Sequence, residues 1–146
     1  MAKRDRFYIS KKSRLFVDNL TNMNRTPLGL KDLSRLDLYK IAVALGLNNP
    51  QEFDSAKVGL CLLKDLKSTK DTSLFNIILM GVAKNNDEID EYCDLEMNYT
   101  ESEKCSNAGF AHLIESIDST PSDELLRKKM LNELDILFQQ NVMLKR

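Results

Sequence analysis

At 146 residues, 42% hydrophobic and 29% charged, the chain has enough apolar material for one domain with a sizeable core. Five Gly and three Pro leave little room for long linkers, and no apolar run approaches the ~20 residues that span a bilayer. The basic start, Met1 to Phe7, leads into no signal-like apolar segment, so a cytoplasmic protein without membrane contact is expected. The net charge of −1 hides a polarity. Lys3, Arg4, Arg6, Lys11, Lys12 and Arg14 crowd the beginning. Asp87, Glu88, Asp90, Glu91, Asp94, Glu96, Glu101 and Glu103 crowd a later stretch, which predicts a basic face and an acidic face.

Arg6-Phe-Tyr-Ile9 alternates in the manner of a strand, with Phe7 and Ile9 on one side and Arg4, Arg6 and Tyr8 on the other. Ser10 can cap a helix from Lys11 to about Asn22. A turn with Pro27 and Gly29 leads to Leu33–Leu47, whose apolar residues Leu33, Leu36, Leu38, Ile41, Ala42, Ala44 and Leu45 cover a wide arc. This is read as a central helix packed on more than one side, with Gly46 as a left-handed stop before Pro50. The run from Val58 to Leu63 is a buried strand or a short helix; periodicity does not decide.

From Thr72 an apolar helix is expected to about Lys84. Asp87 to Met97 reads as a short amphipathic acidic helix. It lacks the alternate oxygen ligands and central Gly of a calcium loop. Thr100-Glu-Ser-Glu103 has the form of a capping box opening a helix to about Ile117, and Gly109 within it suggests a close helix crossing. Thr120-Pro121 opens a final helix to about Gln140 with a stripe of Leu126, Met130, Leu131, Leu134, Leu137 and Phe138. The expected fold is mainly α: a single helical domain of about five to six helices with a short N-terminal β-strand. Residues 4–47 form a strand-helix-helix unit and 121–141 a C-terminal extension helix.

Chemistry is not marked. There is no Gly-rich phosphate loop and no G-x-S-x-G. Cys61, Cys93 and Cys105 lack metal or redox spacing and read as reduced, mostly buried thiols. His112, flanked by Phe110, Leu113 and Ile114, reads as a structural helix residue. Asp65-Leu-Lys67 is only a fragment of a metal-nuclease pattern. No enzyme, metal or cofactor is expected.

Strand, helix, helix is the order of ribbon-helix-helix proteins, in which two chains pair their strands into a ribbon that enters DNA. That reading makes Arg4, Arg6, Tyr8, Lys11 and Lys12 candidate DNA contacts and allows a homodimer. Two further stretches carry another resemblance: Asp37-Leu-Tyr-Lys-Ile-Ala-Val-Ala-Leu-Gly-Leu47 and Lys104-Cys-Ser-Asn-Ala-Gly-Phe-Ala-His-Leu113. With the opening Arg6-Phe-Tyr-Ile-Ser-Lys11 they resemble small proteins associated with bacterial DNA phosphorothioation (Dnd) systems. Members look like a basic strand, a "D-hydrophobic-x-x-x-A-x-x-L-G" helix and a later "N-A-G-hydrophobic" helix, here Asn107-Ala108-Gly109-Phe110. The similarity spans about residues 4–117 in patches. Asn48-Asn49-Pro50 stands where the family has a Gly-rich turn.

The resemblance implies a non-enzymatic accessory or regulatory protein of a DNA-modification or restriction-type antiphage defence system, acting by protein–protein contacts. It supplies no catalytic residues. The candidate partner surface combines Leu126, Met130, Leu134 and Leu137 with the acids Asp87, Glu88, Asp90 and Glu91, since clustered carboxylates suit a basic protein face and repel DNA.

Overall fold

Alternation at the start of the chain produces the expected strand, β1 (Arg6–Ser10), with Phe7 and Ile9 wholly buried. The computed structural model describes residues 5–22, 27–54, 56–65 and 95–143. Its second strand, β2 (Lys57–Leu62), settles the segment that periodicity left open. β2 pairs antiparallel with β1 in the same chain. Phe7 lies opposite Cys61 and Tyr8 opposite Gly59, so Leu60 is an extra residue in the ladder. This bulge lets the consecutive Leu60 and Cys61 both reach the core, which strict alternation forbids.

Four α-helices occur among the described residues, fewer than the five to six expected: α1 (Lys11–Asn19), α2 (Arg35–Gly46), α3 (Leu95–Ser119) and α4 (Asp123–Met143). The expected helix over 72–84 and most of the acidic segment 87–97 lie outside the described residues. Ser10 caps α1 as its sequence indicates, accepting from the Ser13 N–H at 3.1 Å. Ser34 caps α2 in the same way through the Asp37 N–H, at 3.1 Å. Between them, Leu28 and Gly29 take left-handed backbone angles, φ 57° and 68°, and turn the chain. Leu28 does this without the freedom of a glycine. Among the described residues no helix is long and apolar enough to cross a membrane.

Three boundaries differ from expectation. Thr100–Glu103 does not open a helix. α3 has already begun at Leu95, and Glu103 turns inward, buried. α4 starts at Asp123 rather than Pro121, because Ser122 supplies the cap: its Oγ accepts the Leu125 N–H at 3.2 Å. Gly46 is the last residue of α2 and not left-handed; Leu47, which follows, is in the right-handed region.

Gly46 has a different use. A Cβ there would overlap the Cys105 carbonyl, and a Cβ on Gly109 would overlap the Ala42 carbonyl. Ala42 and Gly46, one turn apart on α2, therefore meet Cys105 and Gly109, one turn apart on α3, in antiparallel sense. Around this crossing, Leu38, Tyr39, Val43, Phe110 and Leu113 close the core with Phe7 and Ile9 of the sheet. Phe7 stacks on Tyr39 with centroids 4.4 Å apart and meets the edge of Tyr99 at 5.3 Å. In an exposed helix Gly→Ala would stabilise by about 1 kcal/mol. Gly109→Ala should do the opposite, lowering stability by about 2 kcal/mol through backbone overlap. A thermal melt checks the sign; an unchanged or raised Tm would contradict the close crossing.

Candidate functional site

Of the basic residues assigned to DNA, Arg6 lies on β1, and Lys11 and Lys12 open α1. Arg4 lies outside the described residues. Arg6 is exposed but forms two hydrogen bonds with the neighbouring Asp5 carboxylate, both at 3.0 Å. These bonds hold the Asp5 carboxyl below its ordinary range and raise the Arg6 guanidinium further. Lys11 and Lys12 are exposed at the start of α1. Tyr8 is half-buried, and Lys57 sits over its ring at 6.0 Å and over Phe53 at 5.1 Å.

Both strands are engaged within the chain. One edge of β1 pairs with β2. The Tyr8 N–H donates to Glu103 Oε2 at 2.7 Å, and Lys57 closes on Glu103 Oε1 at 3.4 Å. Glu103 is almost fully buried, with a side-chain exposure of 1%. On β2, the Gly59 carbonyl accepts from Arg14 and the Leu60 carbonyl from Arg35. Asp18 bridges the two arginines, at 3.1 Å to Arg14 and 3.6 Å to Arg35. The ribbon-helix-helix arrangement expects β1 to pair with a second copy. Here β2 and Glu103 occupy it instead, which corrects that part of the strand-helix-helix reading.

The partner surface is likewise redistributed. Leu126 and Met130 are buried in their own domain, at 0% and 7% exposure, so they anchor α4 and are not free to bind a partner. Leu134 is exposed. Asp87, Glu88, Asp90, Glu91 and the Leu137 side chain lie outside the described part. Leu131 and Leu134 form one exposed flank beside the buried stripe, and Leu125 and Ile136 another. Neither Leu131 nor the second pair is among the partner residues expected from the sequence. The second pair's signal was available in the spacing, since the two residues stand about three turns apart on one side of a helix.

Other reactive groups are tied into structure. Burial pushes the Cys105 thiol up to about 12, and Cys61 is buried as well. Cys93 lies outside the described residues. His112 on α3 meets Glu133 on α4 at 2.6 Å and joins the two helices. An open depression between the 27–32 turn and α4 carries Lys31 and Arg127 against Asp32, Asp123 and Glu124, which matches no single ligand charge. Among the described residues no three His, Cys, Asp or Glu side chains converge as metal ligands would.

The buried Glu103 generates a prediction. Glu103→Ala leaves the Tyr8 N–H without its carboxylate and opens a void, and should cost about 2–4 kcal/mol. Glu103→Gln keeps an acceptor and should cost less. Chemical denaturation ranks the two, and equal stability of Ala variant and wild type would show that the edge does not depend on Glu103. Comparison with family models, characterised proteins and solved structures finds no match to this chain.

Proposed function

We propose that this chain is a non-enzymatic accessory protein that works by protein–protein contact, with α4 as its docking element. The observation that carries the reading is the exposure of α4. Leu125, Leu131, Leu134 and Ile136 are 49%, 59%, 47% and 46% exposed on a helix whose Leu126 and Met130 are buried. Apolar side chains left exposed in pairs along both flanks of one anchored helix are candidates for an interaction surface. The resemblance in residues 37–47 and 104–113 supplies the setting of the proposal: a bacterial DNA-modification or restriction-type antiphage system, in which this chain regulates or assembles a larger partner. Replacing Leu125 and Ile136, or Leu131 and Leu134, by Glu should leave helicity unchanged by circular dichroism. At least one pair should remove the protein partner recovered with the tagged chain from its native host. Recovery of the same partner with both variants would refute docking through α4.

A DNA-binding regulator is the second reading. It is favoured by Lys11 and Lys12, which are exposed at the start of α1, directly after β1, and have no carboxylate within 4.0 Å among the described residues. Contact would be to phosphates, with the strands remaining paired as they are. Each lysine that neutralises a phosphate should contribute about 0.9 to the slope of log affinity against log salt. Lys11→Ala with Lys12→Ala should reduce that slope by about twice this amount in a DNA titration. Binding with an unchanged slope would exclude these residues from the contact.

A further inference from the structure

We propose that the Leu131–Leu134 flank of α4 is occupied by a second copy of this chain, the two α4 helices pairing antiparallel about Leu131. This rests on reading α4 as a docking element and names the occupant of one flank. The argument is charge complementarity. Arg127 lies one turn before Leu131 and Asp135 one turn after it, so all three share a face. All three are exposed. A two-fold axis through Leu131 sets Leu131 against its own copy and brings Arg127 of each chain opposite Asp135 of the other, twice over. Such a surface is self-complementary, as an isologous contact requires. A parallel, in-register pair would set Arg127 against Arg127 and Asp135 against Asp135, so the charges select the antiparallel sense.

Arg127 borders the depression beside the 27–32 turn and is still exposed. Asp135 accepts from Gln139 at 3.3 Å, and Lys128 beside the flank reaches Glu124 at 3.5 Å. Both are exposed contacts within one helix, and such contacts contribute little. Leu134, at 47% exposure, lies next to Leu131 and would cover the aliphatic part of the other chain's Arg127. The Leu125–Ile136 flank stays outside this contact and remains open to a different partner.

Sedimentation velocity of the purified full chain, over a concentration series at low salt, tests the pairing. The wild type should pass from monomer to dimer as concentration rises, and added salt should weaken the dimer. Leu131→Glu, Arg127→Glu and Asp135→Arg should each reduce association about tenfold or more, without loss of helicity. Arg127→Glu and Asp135→Arg combined in one chain should restore it. So should an equimolar mixture of the two single variants, because each then presents the charge the other lacks. A wild type that stays monomeric throughout overturns the proposal, as does a charge reversal without effect or a combined variant that does not recover. A monomeric wild type would leave the docking reading of α4 standing or falling on partner recovery from the host, a separate measurement.

Discussion

The backbone contact between α2 and α3 is the constraint on which the rest of the domain depends. Helices bearing ordinary side chains pack with axes about 8–10 Å apart. Here Ala42 and Gly46 face Cys105 and Gly109, and the glycines have no room for even a Cβ. The close approach brings neighbouring turns of α3 within reach of three other elements. Ser102 meets the Tyr39 hydroxyl at 2.6 Å. Glu103 reaches β1. Asn107 holds the loop after α2 through the Gln51 and Glu52 carbonyls, at 3.2 and 2.9 Å. A wider crossing would pull all three contacts apart together.

The polar groups drawn inside by that crossing are matched to it. Tyr39 is buried, and burial pushes its phenol well above its ordinary range, so it stays neutral. Its hydroxyl bonds with Ser102, whose Oγ in turn donates to the Tyr99 carbonyl at 2.7 Å. Glu103 is the costlier guest, since an unpaired buried carboxylate would destabilise the fold. Lys57 and the Tyr8 N–H answer it from the sheet. The same contacts solve a second problem. A two-stranded sheet has exposed edges that invite pairing with other chains. Glu103 caps β1, and the Arg14–Asp18–Arg35 cluster covers carbonyls of β2, so charged side chains hold both strands within the domain.

What was legible in the sequence was local. Alternation identified β1, Ser10 identified the start of α1, and the mid-helix Gly109 pointed to a close crossing, because each signal depends on residues within a turn or two. The wide arc of α2 holds in part: Leu38 and Ala42 are buried and Leu36, Ile41 and Leu45 partly so, but Leu33 and Ala44 are exposed, while Tyr39 and Val43, outside that arc, are buried. Signals with two meanings were misread. A Glu three residues after Thr100 fits a capping box, yet the same Glu serves a strand 95 residues away. Gly46 near a helix end fits a left-handed stop, yet it makes room for Cys105. β2 stayed undecided because its bulge places two consecutive residues in the core and destroys the period that would have revealed a strand. The motif residues Asn107 to Phe110 each have a packing task here: a loop clamp, a buried methyl, a crossing point and a core ring. They account for shape rather than chemistry.

The candidate surface on α4 was legible only as a stripe, because periodicity shows which side of a helix is apolar and not how much of it the domain can cover. The structure resolves that division. Leu126 and Met130 sit in the core, and Glu133 binds His112, so three successive turns are fixed to the domain. The apolar side chains flanking them are left in water. In the proposed docking role a helix fixed in this way would already be ordered, and a partner would not bear the entropy of forming it. The buried stripe and exposed flanks thus belong to one arrangement, in which the core fixes the helix and leaves its sides exposed.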